Sequence, residues 1–333
     1  MNMTMRGVSR VPNMSGKGSS KPGRLPKLLS WLEIRRLVAR APNHPWRALV
    51  GYAAICTACA YAGDFQFSGI AAVAVKVSDA TRSDRFYRDV FGFDPLPNGV
   101  ISGNACYKVN DDQFIEIVPG RSDGTDHHIA YFSLATNDIR GTRELLKRRG
   151  VEVTDISRGA GGSLQCTLAD PDGNRIVMTQ VVTGSQKDHA RGKMPAARSV
   201  STHLRHVGIQ VANLEVSAKF YHDNLGLATE RFQRGKTRWV DMRLPGGDYI
   251  QMQIAPENVS ADRRWSLEHF GLDVQDAHVA YEELMRRGVP PSPGFEPVVG
   301  YAGHLKINFL DPDNILIELM ELGAAKATER REP

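Results

Sequence analysis

Cysteine is scarce in this chain of 333 residues, and so is any apolar run long enough to cross a bilayer as a helix. Of four cysteines, Cys56 and Cys59 share one apolar stretch, which leaves Cys106 and Cys166 for the rest. Two thiols are no disulfide framework. Cys166, in LQCTLADP, stands where Ile307 stands in a matching strand and reads as a buried thiol. The apolar stretch ALVGYAAICTACAYA covers positions 48–62, short of the about 20 residues of a spanning helix. Acidic residues are nearly missing before it: positions 1–62 hold ten Lys/Arg against one acid, Glu33. The remainder holds 32 bases against 36 acids. A slightly acidic body has no electrostatic footprint for nucleic acid.

A basic, Pro/Gly/Ser-rich leader before a short apolar core has the order of a signal peptide. Ala60-Tyr61-Ala62 supplies a small-x-small cleavage site ahead of Gly63-Asp64. Residues 1–62 are therefore expected to be a targeting segment of an exported or periplasmic protein. The alternatives are an uncleaved anchor, which confines membrane contact to this segment, and a cytoplasmic extension.

What the chain does have is internal repetition. IAAVAVKV, followed by Asp79 as a helix N-cap and RSDRFYRDVFGF, matches IQVANLEVSAKFYHDNLGL, where Asn213 is the cap and Gly226 ends the helix. Both share FY-x-D-x-x-G and lead into alternating strands, DQFIEIVP and DYIQMQIAP. NDIRGTRELLKRRGVEV matches QDAHVAYEELMRRGVPP, and CTLADPDGNRIVMTQ matches NFLDPDNILIELME. Each unit reads as strand, capped helix, then about three strands. GSQKDHARGKMPAARSVST (184–202) is polar and expected to be a flexible linker between pairs.

These motifs, FY-x-D-x-LG after a first helix and DPD-G/N in the last hairpin, resemble the vicinal oxygen chelate superfamily over roughly 68–322. That group holds glyoxalase I, extradiol dioxygenases, epimerases and drug-resistance proteins. The resemblance implies an α+β fold of four βαββ modules in two domains, each a cup-shaped mixed sheet with helices outside. The expected domains are 68–183 and 203–322, with a tail at 323–333. It also implies metal ligands on the inner face of the cup.

Alternation decides which side chains face inward. In 206–211, Val207, Ile209 and Val211 form the apolar face, leaving His206 on the other; Glu318 opposes Ile315, Ile317 and Leu319. Gln253 opposes Ile250, Met252 and Ile254, and His269 takes the place of His206 in the following module. Two imidazoles and a carboxylate with open positions form the facial set used by non-haem Fe(II). His206, His269 and Glu318 are the expected ligands, with Gln253 the candidate for a fourth position. In the N-terminal pair the corresponding residues read as Ala72, Glu116, His128 and Met178, a degenerate set.

A divalent metal that chelates a small molecule through adjacent oxygens serves several chemistries. Fe(II) is favoured, with Zn, Ni, Co or Mn as alternatives. A silent first pair and a ligand-bearing second pair match the extradiol dioxygenase layout. Its signature tyrosine, however, is replaced by Asn308, its signature histidine is absent near Tyr301, and no histidine lies between His222 and His269. The set His, Gln, His, Glu resembles the epimerase pattern, in which Glu318 could also act as base. Non-catalytic binding of a small molecule is the third reading. His304 is a candidate proton carrier, and Lys306, Asn308, Trp239, Asp241 and Arg243 are candidate substrate contacts. The oligomeric state is not readable.

Overall fold

A computed structural model describes residues 67–97, 105–120, 128–193, 197–234, 236–254, 268–289, 297–299 and 304–321. The targeting segment at 1–62, the tail at 323–333 and Tyr301 lie outside the described residues. The N-terminal half runs β1 (Phe67–Val77), α1 (Ala80–Arg85), β2 (Asp94–Leu96), β3 (Cys106–Lys108) and β4 (Phe114–Pro119). It continues through β5 (Ile129–Thr136), α2 (Ile139–Arg148), β6 (Ser157–Arg158), β7 (Leu164–Ala169) and β8 (Arg175–Gln180). A short helix α3 (Gln186–Ala190) follows. The C-terminal half repeats the order: β9 (His203–Gln210), α4 (Leu214–Leu225), β10 (Ala228–Arg234), β11 (Thr237–Arg243) and β12 (Tyr249–Gln253). It ends with β13 (His269–Val274), α5 (Ala277–Arg286), β14 (Val298–Val299), β15 (Leu305–Leu310) and β16 (Leu316–Glu321).

The helices begin where short polar side chains can satisfy free amides. Asp79 accepts from the Thr81 and Arg82 amides at 2.9 and 3.1 Å, and Asn213 from Glu215 and Val216 at 3.0 and 3.2 Å. α1 widens into a π-helical turn over Phe86–Val90. α4 stops at Gly226, whose φ of 70° is open to glycine without steric cost.

Each half is an eight-stranded mixed sheet, in the orders β2-β3-β4-β1-β5-β8-β7-β6 and β10-β11-β12-β9-β13-β16-β15-β14. The first strands of the two modules lie antiparallel at the centre, and each pairs in parallel with its own module's last strand. One apolar cluster runs through both halves and takes in Val73, Val75, Val207, Ile209, Ile317 and Leu319, the outward side of these strands. Residues of opposite parity are left to line the two cups.

The recurring motifs meet each other across the halves. The Tyr87 hydroxyl donates to Asp311 at 3.0 Å, and the Tyr221 hydroxyl donates to Asp170 at 3.0 Å. Each FY tyrosine thus bonds the first aspartate of the DPD turn in the other half. The turn closes around that carboxylate: Asp311 also accepts from the Asp313 and Ile315 amides, each at 2.8 Å.

The described parts of the segment expected to be a flexible linker, 184–193 and 197–202, are instead packed on the N-terminal half. α3 is anchored by Gln186 N–H to Gly161 O at 2.8 Å, and Val200 N–H reaches Phe91 O at 2.9 Å. Arg198 donates to the Asp89 carbonyl at 2.7 Å. Its polar composition reflects these bonds and the buried Lys187, which composition alone reads as solvation.

Candidate metal centre

Strand register builds the site row by row, because residues paired across a sheet share a face. One row of the C-terminal cup runs Arg243, Tyr249, His206, Gly271, Glu318, Asn308 through β11, β12, β9, β13, β16 and β15. The adjacent row runs Asp241, Gln251, Gly208, His269. His206 and His269 are therefore neighbours in staggered rows on antiparallel central strands. Their rings meet edge to face at 5.0 Å.

Two glycines make room for them. A Cβ on Gly271 would lie 2.1 Å from His206 Cε1, and one on Gly208 would lie 2.1 Å from His269 Cε1. In HVG and HFG the histidine of each strand covers the glycine of the other. Tyr249 fixes the remaining face of His206, stacked at 4.7 Å and 15°, and the Arg243 guanidinium lies 4.2 Å over the Tyr249 ring. The result is a three-layer stack of cation, phenol and imidazole.

Candidate ligand atoms of His206, His269 and Glu318 all lie within 4.8 Å of one another. His206 Nε2 is 3.7 Å from a Glu318 oxygen. His206 is fully buried, and neither of its nitrogens has a hydrogen-bond partner. Burying such a group without a partner is costly, and a bound cation would satisfy it. Burial, then the neighbouring His269, pushes the His206 pKa well below the usual range, so the imidazole is neutral and keeps a lone pair to donate. Burial alone would push Glu318 up. His269, Lys306 and His206 outweigh it and hold that carboxyl at about 2. Lys306 also hydrogen-bonds a Glu318 oxygen, which helps to keep it ionised. Two imidazoles and an ionised carboxylate suit a divalent metal.

Gln253 stands apart from these three. It pairs with Gln210, four residues along from the Tyr249–His206 pair, which is about 13 Å of strand. Its amide bonds Gln251 at 2.7 Å. Gln251, which pairs with Gly208 as Glu318 pairs with Gly271, holds the β12 position equivalent to Glu318, and Tyr249, paired with His206 itself, stacks on that ring. Trp239 pairs with Gln253 in that distant row, stacked on Phe232 at 5.2 Å.

The other expected contacts surround the three ligands. Asn308 pairs directly with Glu318, and its buried Oδ1 has no hydrogen-bond partner. His304 is partly buried, and burial followed by the Arg243 charge lowers its pKa. Asp241 is buried; desolvation pushes its carboxyl up to about 7, although Arg243 at 3.3 Å and Gln251 at 3.5 Å oppose the rise.

The N-terminal cup has a different set from the one read along the chain. Ala72 pairs with Phe114 and Ser133 as His206 pairs with Tyr249 and Gly271, so Ala72 does take the place of His206. Tyr131, not His128, occupies the His269 position, because both pair with the residue two beyond. Val177, not Met178, faces Ser133 as Glu318 faces Gly271. Glu116 corresponds to Gln251 rather than Gln253. An offset of one changes face in a strand, and Met178 accordingly packs in the outer core while Val177 lines the cup.

Comparisons with known proteins place this geometry. The family model described as Glyoxalase/Bleomycin resistance protein/Dioxygenase superfamily matches residues 69–178 and 203–319. Among solved structures, a Mn(II)-bound glyoxalase from Novosphingobium aromaticivorans is similar with a TM-score of 0.60 at 17% identity, over 78% of this chain and 83% of that one. A 2,2',3-trihydroxybiphenyl 1,2-dioxygenase from Sphingomonas wittichii gives 0.56 at 12% identity, over 77% and 90%. A 2,3-dioxygenase from a Pseudomonas species gives 0.57 at 17% identity, over 78% and 93%. These identities bear on the fold alone. No curated protein sequence matches.

Proposed function

Because the chain belongs to the glyoxalase/bleomycin resistance protein/dioxygenase superfamily, whose members include metal-dependent enzymes acting on small molecules, we propose that it is a divalent-metal enzyme whose leading activity is extradiol-like dioxygenation at Fe(II). The observation that carries this reading is the set His206, His269 and Glu318, two imidazoles and one carboxylate whose ligand atoms lie within 4.8 Å of one another. Such a set leaves several coordination positions open, as binding of a diol beside oxygen requires.

When bound, a divalent ion there would polarise and template two adjacent substrate oxygens. The surrounding residues do the rest. Tyr249 and Arg243 hold His206 in one orientation. Lys306, with His269, keeps Glu318 ionised and offers positive charge to a substrate oxyanion. Asn308 presents an amide beside Glu318. Asp241, titrating at about 7, can take or return a proton near neutral pH.

That same carboxyl favours a second reading, proton transfer next to a carbonyl, as in an isomerase or lyase. Measuring oxygen consumption separates the two. The full chain, purified without oxygen and analysed for metal beside His206→Ala, is expected to hold about one equivalent of iron that the variant lacks, and to consume oxygen with catechols. Binding of zinc, nickel or cobalt, with no oxygen uptake on any diol after iron loading, would replace it with the isomerase reading. No metal in either protein after reconstitution would sink both.

A further inference from the structure

The N-terminal cup contains a cation that the chain itself supplies. Lys187, on α3, is buried to 3% exposure, and its ammonium lies 3.3 Å from an oxygen of the fully buried Glu116. It also sits 4.0 Å over the ring of Phe114. The Tyr131 hydroxyl donates to the second Glu116 oxygen. Register puts Tyr131 at the place of His269, and Glu116 in the same row of the sheet. The charge therefore enters beside the row from which the other half offers an imidazole.

The segment carrying Lys187 is held from both sides. Lys108, itself buried, reaches out of β3 to the Ala190 carbonyl at 2.7 Å and to the Lys193 carbonyl. Arg191 pairs with Asp112 at 2.7 Å, and Gly192 N–H donates to Asp111 at 3.0 Å. In the same cup Ala72, Ala74 and Val177 are apolar, and the Cys106 thiol adds only a weak bond to Glu116 at 4.0 Å. A carboxylate buried there needs a counter-charge, since an unpaired one is strongly destabilising. An ammonium over an aromatic face is a favourable way to provide it.

We propose that the N-terminal cup is a binding site for a primary alkylammonium group, built from Glu116, Tyr131 and Phe114 and occupied in cis by Lys187. The site stands independently of the metal chemistry of the other half. It makes α3 a tethered ligand, and it closes this cup to divalent ions.

The test is chemical replacement in the full chain. Lys187→Ala removes the equivalent of n-propylammonium and leaves a matching hole. The variant is expected to melt about 5 °C or more below the parent. n-Propylamine at neutral pH should raise its melting temperature in a concentration-dependent way, while n-propanol, of the same shape without charge, should not. The amine should leave the parent unchanged, and its effect should vanish in Lys187→Ala with Glu116→Gln. If Lys187→Ala does not fold alone, the same comparison is made on refolding yield. Parent-like melting of Lys187→Ala, rescue by propanol equal to that by the amine, rescue that survives Glu116→Gln, or no rescue by the amine would each overturn the proposal.

Discussion

The imidazole of His206 lies against the bare Cα of Gly271, on the neighbouring central strand, at a spot where any β-carbon would come within 2.1 Å of its ring. His269 repeats the relationship over Gly208. Gly271→Ala and Gly208→Ala should each turn one ring out of place while changing no ligand. Metal affinity is expected to fall about tenfold or more, as it does when groups supporting a ligand are disturbed. Competition titration with a chromogenic chelator measures it; unchanged affinity in both variants would mean the rings are not the ligands.

Lys306 and Glu318 make the second prediction. Removing the lysine leaves an ionised carboxylate in the cup without its partner, and a metal would compensate for that loss. In metal-free protein Lys306→Met should cost about 2 kcal/mol, a figure reduced for the partial exposure of the lysine. With saturating Mn(II) the deficit should shrink or disappear. Denaturant titrations with and without metal read the difference, and an equal deficit in both would place Glu318 outside the metal site.

Asp241 is expected to set the pH dependence of the proposed turnover. Its carboxyl titrates at about 7 because it is buried, against the pull of Arg243. If it accepts a proton in the reaction, kcat/KM should rise through a limb near pH 7. Asp241→Asn should flatten that limb and lower the plateau by about 10²-fold or more. An unchanged profile in the variant would assign the limb to another group.

The two crossed tyrosine–aspartate bonds predict stability. Tyr87→Phe and Tyr221→Phe should each cost about 1–3 kcal/mol in unfolding free energy. For Asp311, burial raises the folded pKa to about 6, despite bonds from the Ile315 amide and the Tyr87 hydroxyl. A raised carboxyl favours the neutral acid in the folded chain. Its stabilising contribution relative to Asp311→Asn is thus fully present below the unfolded value of about 3.9 and is lost as pH rises through about 6. The gap should change by up to about 3 kcal/mol between pH 7 and pH 3.5. A gap that widens towards high pH would reverse the assigned direction.

How far these features were legible depends on what alternation can decide. Alternation assigns a face, and it put His206, His269 and Glu318 on the inner one. It does not assign a row. Gln253 has the right face and the wrong row, a distinction that only the pairing of β12 with β9 can make. His128 and Met178 missed by odd offsets, three residues from Tyr131 and one from Val177, since short strands joined by unequal loops carry no register mark. The glycines did carry one: both candidate histidines are followed two residues later by glycine, which is the signature of two rings crossing over two bare backbones. The caps at Asp79 and Asn213 were readable because capping is local. Lys187 was not, because its partner lies 71 residues earlier in the chain.

The Tyr87–Asp311 and Tyr221–Asp170 bonds have a bearing on how this molecule can change. Neither half owns a complete set of its own turns: the half with the candidate metal centre borrows a hydroxyl from the other half, and lends one in return. A duplicate without a ligand set of its own is ordinarily free to be lost. Here deleting the N-terminal copy would strip the C-terminal one of a buried partner, so the chain can vary the side chains lining one cup but cannot discard the cup.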